Sequence, residues 1–391
     1  MPKPTHVPAD RRVRRVLLLV ESSRSSGRSL LRGIADYARI HGPWAFYWEP
    51  GGLEKAWPRL RALDVSGIIL RDVENLDEVL ACGIPAVVVG HNRVEIEGLA
   101  NVVTDSHGIA RLAAEHLLAR GFRHFAFCGL EGLPWSTLRG DAFRRCIQSA
   151  GFVLDEYPVL GSRVRRGWSA ERRSMAEWLR RLPKPLGVMA CNDDRGEQVV
   201  EACKIAGLEV PDEVAIVGAD NDDLVCDLCD PPMSSVAIHF ERAGFEAAQV
   251  LDQLMRGRTL SAAKIVVQAS HVVTRRSTDI LAVADPRLAT ALRFIRDHAN
   301  EAISVPDVAR AAGLSRRVLE KRFQVHLRRS ALSEIRRIRV SQLCRLLAET
   351  SQPISQIAQT LGYTGAEHLA RYFRREKDMS PLAYRQKYGR K

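Results

Sequence analysis

Aromatic residues make up only 6% of this 391-residue chain, and no apolar run approaches the roughly 20 residues that a membrane span needs. The first apolar stretch, VLLLV, follows a charged start but meets no small-residue cleavage site, which argues against a signal peptide. Eight cysteines are scattered, several inside apolar segments, as reduced cytosolic thiols are. Cys226 and Cys229 form one CxxC, but no second CxxC or His pair stands at zinc spacing, so no metal site is expected. The chain also has no GxSxG, no GxxxxGK[ST], and no GxGxxG after its first strand-like run, so hydrolase, NTPase and dinucleotide-enzyme readings lack their motifs, and no cofactor is called for.

Excess charge of either sign is missing from most of the chain. Of its 58 Lys and Arg and 46 Asp and Glu, residues 286–391 hold 22 and 9, leaving 36 and 37 for everything before. The whole excess of positive charge therefore sits in the last quarter. A basic module that contacts a polyanion, joined to a near-neutral module with another task, is the reading that fits. Residues 1–12 read as a tail, 13–276 as the neutral module, 277–285 as a linker and 286–391 as the basic module.

From residue 13 short β-branched runs alternate with amphipathic stretches. Strands are expected over 13–20, 67–71, 85–90, 124–129, 186–191 and 214–220, with helices over 26–42, 107–121, 137–151, 194–207 and 241–257. That alternation predicts a doubly wound parallel sheet, and a length of some 270 residues suits two α/β lobes better than one. Ligands of such sheets bind beyond the carboxyl ends of the strands. Ser26, Arg139, Asp193, Asp220 and Asn221 fall there, with Trp135 four residues before Arg139. Carboxylates, an amide and an Arg around an aromatic ring suit a sugar: Asp accepts from vicinal hydroxyls, Arg and Asn donate, and Trp covers the apolar C–H face. The same residue types cap helices, so both roles stay open at each position.

After residue 285 the period becomes wholly helical, and VPDVARAAGLSRRVLEKRF (305–323) is echoed by ISQIAQTLGYTGAEHLARYF (354–373). Ala309 aligns with Ala358, Gly313 with Gly362, Leu319 with Leu369 and Phe323 with Phe373. Each copy has a short amphipathic helix, a glycine for a left-handed turn, a Ser or Thr suited to capping, and a second helix, as a helix-turn-helix requires. Base-reading positions are the outward ones near the start of the second helix. These are Arg316, Arg317, Glu320 and Lys321 in the first copy, with Val318, Leu319 and Phe323 inward. In the second they are Ala366, Glu367, His368, Ala370 and Arg371. Arg328, Arg329, Arg374, Arg375 and Lys377 are placed for phosphate. The segment 331–349 between the copies reads as one helix that sets their separation.

Two resemblances attach to these segments. NVVTDSHGIARLAAEHLLARGFRHFAFCG, PDEVAIVGADND and SSVAIHFERAGFEAAQVL are similar to the sugar-binding half of LacI/GalR-type repressors, which share the periplasmic-binding-protein fold. The duplicated layout ending RYFRREKDMSPLAYRQKY resembles the AraC/XylS-type DNA-binding domain. Joined in this order they resemble the family of bacterial xylose-operon regulators. The resemblance implies a cytoplasmic, sugar-responsive activator of transcription and a homodimer, with an operator in double-stranded DNA and RNA polymerase as partners and a pentose, D-xylose first, bound between the two lobes. It also assigns sugar contact to Arg139, Asp193 and Asp220. A regulator answering to another sugar, a sugar-processing enzyme with a basic tail, and a sugar-independent architectural DNA binder are the alternatives.

Overall fold

The structure, a computed structural model, describes residues 13–49, 64–72, 76–91, 93, 95–158, 168–258, 263–280 and 285–389. The predicted tail 1–12 and residues 281–284 of the predicted linker lie outside the described residues. The first elements are β1 (Arg14–Leu19), α1 (Ser25–His41), β2 (Trp44–Trp48), β3 (Gly67–Arg71), α2 (Leu76–Leu80), β4 (Ala86–Val89), β5 (Ala100–Thr104), α3 (Ser106–Leu118), β6 (His124–Cys128), α4 (Pro134–Ser149) and β7 (Leu154–Glu156). They are followed by α5 (Trp168–Arg181), β8 (Leu186–Ala190), α6 (Asp193–Ala206), β9 (Val214–Asp220), α7 (Asp223–Leu228), β10 (Ser234–Ile238), α8 (Phe240–Met255), β11 (Lys264–Val267) and β12 (Ala269–Val273). A 3-10 turn over Arg276–Thr278 precedes the helical region: α9 (Pro286–Asp297), α10 (Val305–Ala311), α11 (Arg316–Leu327), α12 (Ala331–Glu349), α13 (Ile354–Thr360), α14 (Ala366–Lys377) and α15 (Pro381–Tyr388).

Among the described residues two six-stranded sheets result, in the orders β11-β5-β4-β3-β1-β2 and β12-β10-β9-β8-β6-β7. The first lies in a unit made of the described residues up to Ser106 with Glu131–Leu138 and Ile238–Gln268; the second lies in a unit of the remaining residues, which also contains the helical region. In the first unit β1 is parallel to both β2 and β3, and alternate residues serve opposite faces. Val16, Leu18 and Val20 pack with Leu30, Ile34 and Leu251 of α1 and α8, while Leu17 and Leu19 join Ile68, Leu70 and Val88. Burial on both faces explains why this strand reads as an unbroken apolar run. Helices α1 and α8 touch at glycines: a Cβ on Gly33 would come within 1.8 Å of the Glu241 carbonyl oxygen, and one on Gly244 within 2.0 Å of that of Leu30.

In the second unit the core under the sheet is built from Val188, Ile216, Val199, Cys203, Met175 and Leu179 among others. The helical region has two cores of its own. Leu288, Leu292, Val308, Leu319, Phe323 and Ile335 form one; Leu343, Leu347, Ile357, Leu369, Phe373 and Tyr384 form the other. Helix α12 spans 331–349 as the sequence predicts and contributes to both. Several elements were not expected from sequence: the aromatic edge strand β2, the short β7, helix α5, and β10, β11 and β12.

Candidate functional site

Two strands of the second sheet, β8 and β9, end around one Arg. Arg139 of α4 is buried, with 3% of its side chain exposed; one guanidinium nitrogen donates to the Cys191 carbonyl just past β8, and another lies 3.5 Å from Asp220 Oδ1 at the end of β9. Asp220 and Asn221 have φ of +104° and +50°, values that side-chain-bearing residues rarely adopt and that tend to occur at functional sites. The Asn221 amide N–H donates to Ser235 Oγ, and its side-chain oxygen accepts from Arg275 at 3.0 Å.

Asp193, expected to contact the sugar, holds the neighbouring loop in this structure. It is 3% exposed and lies beneath the loop, its Oδ2 accepting from the Asp222 amide at 2.7 Å and its Oδ1 from the Ser235 hydroxyl at 2.5 Å. Both oxygens are therefore already engaged in holding the loop that carries Asp220. A Cβ on Gly218 would sit 2.3 Å from Asp193 Oδ1, so the glycine makes room for it. Burial, reinforced by Asp220, pushes its carboxyl well above the usual range. The cap of α6 falls to Asn192, which accepts from the Arg195 amide at 3.0 Å.

Ser26 and Trp135 belong to the first unit. Ser26 is buried in the first turn of α1, whose approach to the chain just past β1 is so close that a Cβ on Gly27 would lie 1.9 Å from the Glu21 carbonyl oxygen. Trp135 is half-buried in the first turn of α4, which begins three residues earlier than expected, and its ring is 6.3 Å from that of His91. Beyond the carboxyl ends of β1, β3 and β4 stand charged groups that sequence reasoning missed. Glu21 pairs with Arg71 at 2.8 Å, and buried Asp72 accepts from the Arg93 amide. Burial and the neighbouring Arg71 push His91 below its ordinary value. The signal was available: each directly ends or follows an apolar run already read as a strand.

The helical region holds the second candidate site. In both copies the turn glycine is left-handed, Gly313 at φ +61° and Gly362 at +68°. Ser315 caps α11 by accepting from the Val318 amide, whereas α14 starts after Gly365 without a side-chain cap. Arg316, Arg317 and Lys321 are exposed on α11, and Glu367, His368, Arg371, Arg374 and Arg375 on α14, with Ala366 and Ala370 half-buried. Val318, expected inward, is 40% exposed because Leu319 and Phe323 alone fill that turn's share of the core. Glu320 turns back, accepting from the Ala331 amide at 3.1 Å and so satisfying the start of α12. Arg375 stacks on Tyr372, 5.5 Å from its ring centre, and pairs with Glu376.

Arg328 and Arg329, expected at phosphate, also reach the α/β lobe of their unit. Arg328 donates to the Ala150 carbonyl and lies over the Phe152 ring; Arg329 donates to the Ala119 carbonyl at 3.1 Å and pairs with Glu334 at 2.7 Å. Both tie the turn after α11 to the α/β lobe of the same unit.

Among the described residues no group of His, Cys, Asp and Glu could hold a metal ion, and no helix is long and apolar enough to cross a membrane. None of the eight cysteines is in a disulfide; burial pushes the Cys229 thiol up to about 11 and that of Cys226 higher, the wrong direction for thiolate chemistry.

Family models for a periplasmic binding protein-like domain and a helix-turn-helix domain match residues 114–278 and 308–387. The xylose operon regulatory protein of Escherichia coli K12 is 28% identical over 380 residues, covering 95% of this chain and 96% of that protein. Its namesake in Haemophilus influenzae is 28% identical over 384 residues, covering 95% and 98%. A solved structure of the xylose-binding transcription activator xylR superposes with a TM-score of 0.61 at 27% identity, covering 97% of this chain and 99% of the other. These full-length relatives are regulators of transcription, not enzymes.

Proposed function

Since the chain belongs to the XylR-type regulators, in which a LacI/GalR-like sugar-binding domain precedes an AraC-type helix-turn-helix domain, it is a sugar-binding, DNA-binding transcription regulator, and we propose that its effector is a pentose, D-xylose first. The observation that carries the sugar reading is the pairing of buried Arg139 with Asp220 at the end of β9, on a loop held in an uncommon backbone conformation. Such a pair offers a vicinal diol a donor and an acceptor at once, with Asn221 beside it. Asp193 then acts from beneath, by fixing the loop. In the first unit Ser26 and Trp135 stand with Glu21, Arg71 and His91 as candidates for the same role.

For DNA we assign base reading to Arg316, Arg317, Lys321, Ala366, Glu367, His368 and Arg371, and phosphate contact to Arg374 and Arg375. Glu320 serves α12 first. The sugar-binding domain is taken as 13–276 and the DNA-binding domain as 286–391, with 277–285 between them. A cytoplasmic homodimeric activator that engages RNA polymerase completes the proposal; the solved relative described as a transcription activator supports its activator part.

Calorimetry of the full chain against pentoses and hexoses tests the effector. D-Xylose should bind, and Arg139→Ala and Asp220→Ala should each weaken it roughly tenfold or more, the loss of one charge-assisted hydrogen bond. Unchanged affinity in both variants would remove this pair from the site.

A further inference from the structure

We propose that Arg275 couples the effector loop to the DNA-binding domain, acting as a positioning residue that passes the state of the Asp220–Asp223 loop to the segment from which α9 departs. The proposal rests on the sugar reading above and extends it to regulation. Arg275 lies far in sequence from the strand ends, yet its side chain, 13% exposed, spends all three guanidinium nitrogens on that loop and its surroundings. Nε donates to Asp227 at 2.8 Å, one terminal nitrogen to Asn221 Oδ1 at 3.0 Å and the Met233 carbonyl at 3.1 Å, and the other to Asp223 at 3.3 Å. Only a planar fork serves acceptors spread this way; a Lys ammonium could not reach them together.

The backbone of the same residue is held just as firmly. Its amide donates to Ser234 Oγ at 2.8 Å, and its carbonyl accepts from the Ser234 hydroxyl at 3.0 Å. The next residues lock into the lobe: the Ser277 hydroxyl donates to the Ile216 carbonyl at 2.6 Å, and Thr278 is fully buried. Thr278 Oγ1 is 2.7 Å from Ser234 Oγ and 2.8 Å from His116 Nε2, and its carbonyl accepts from Arg120 Nε at 2.6 Å. Arg120 can only donate, so His116 Nδ1, 3.0 Å from it, is the acceptor and the imidazole proton sits on Nε2, directed at Thr278. Two residues on, the Ile280 carbonyl accepts from Arg296 of α9 at 3.2 Å, and Asp279 lies 3.5 Å from the same guanidinium.

A hydrogen-bonded route thus runs from Asn221 through Arg275 and the buried 277–278 segment to the first helix of the DNA-binding domain, all within one unit. Asn221 is shared between the two tasks: a sugar hydroxyl that draws its amide toward the ligand shifts the oxygen to which Arg275 donates. The sugar would favour whichever loop arrangement it binds better, and Arg275 makes that preference felt at α9.

The test uses the full chain, D-xylose within a panel of pentoses and hexoses, and a duplex selected by this protein from a random library. Sugar affinity is read by calorimetry and DNA affinity by anisotropy, with and without saturating sugar. Wild-type DNA affinity should change at least about fivefold with sugar, the lower end of ordinary allosteric coupling. Arg275→Ala should bind the sugar within about threefold of wild type while its sugar response shrinks below about twofold, the range in which coupling has effectively gone. Arg275→Lys should not restore it. Asp223 and Asp227 are exposed carboxylates, so the Asp223→Asn/Asp227→Asn variant should fold even if Arg275→Ala does not, and should lose the response in the same way. A full response in either variant overturns the proposal, as does a loss of sugar affinity in Arg275→Ala equal to that in Asp220→Ala, which would make Arg275 a ligand contact. Wild-type protein that binds sugar but shows one DNA affinity throughout overturns the coupling alone. Protein that binds none of the sugars overturns the sugar reading and the coupling with it.

Discussion

Glu334 is a buried carboxylate in the first turn of α12, where the DNA-binding domain meets the α/β lobe of its unit. Its side chain is 2% exposed; Arg337 grips both oxygens, at 2.7 and 3.0 Å, and Arg329 adds a pair at 2.7 Å. Arg329 in turn donates to the Ala119 carbonyl, so the cluster joins helix to lobe. Replacing Glu334 by Ala leaves two half-buried guanidinium groups without their counter-charge. Removing one partner of a buried ion pair costs about 3–5 kcal/mol, far more than the ~1 kcal/mol typical of surface pairs. Glu334→Gln keeps the shape and some hydrogen bonds and should cost about 1–3 kcal/mol, the usual penalty for an imperfectly satisfied buried group. The pH dependence follows from the same geometry. Burial pushes the Glu334 carboxyl up, but Arg337, Arg329 and Arg296 outweigh it and hold it below its ordinary value of 4.5. A carboxyl lowered in the folded state supplies stability above its unfolded value and loses it as pH falls through the folded one, so the contribution should fade below about pH 4.5. Native-state hydrogen exchange at the α12 amides measures the cost locally, and the Ala variant should lack the acid-side loss. Glu334→Ala within about 1 kcal/mol of wild type would refute the view that this cluster is a desolvated ion pair holding the junction.

Three further outcomes are expected. Arg317→Ala and Arg371→Ala should each relax preference at particular base pairs at a cost of about 1–3 kcal/mol, whereas Arg374→Ala should weaken all sequences alike and flatten the salt dependence by about one unit of slope; site selection with salt titration decides, and unchanged base preference in the first two would move base reading to Arg316 or Glu367. His116, buried and beside Arg120, is held well below its ordinary 6.5, so the unfolded chain takes up a proton that the folded one refuses; stability should fall as pH drops below 6.5. His116→Gln should flatten that fall by up to about 1.4 kcal/mol per pH unit in urea titrations, one proton's worth, and an equal slope in both proteins would contradict it. Gly33→Ala should destabilise the first unit by about 1–3 kcal/mol or more, because its methyl would meet backbone rather than a side chain that can move; an unshifted urea midpoint would show that α1 and α8 separate freely.

Local chemistry written in consecutive residues was legible without any structure. β1, β3 and β9 announce themselves as β-branched apolar runs because strands buried on both faces need nothing else. Gly313 and Gly362 mark the two turns because each adopts a left-handed conformation that glycine takes without steric cost, and the echo of Leu319 and Phe323 in Leu369 and Phe373 reveals two cores of one pattern. The charge divide at residue 286 needs only counting. Roles that depend on partners distant in sequence were not legible. Asp193 and Asp220 look alike as acids at strand ends, but Ser235 and Asp222 draw the first inward while Arg139 meets the second near the surface. Arg329 looks like a surface cation until the Ala119 carbonyl and Glu334 engage it, and Glu320 looks outward until the Ala331 amide needs an acceptor. Arg275 carries no motif at all. A hydrogen bond is satisfied by whichever group the fold brings within about 3 Å, so side chains with several possible partners take their role from packing, whereas glycine turns and apolar periodicity act within a few residues and survive in the sequence alone.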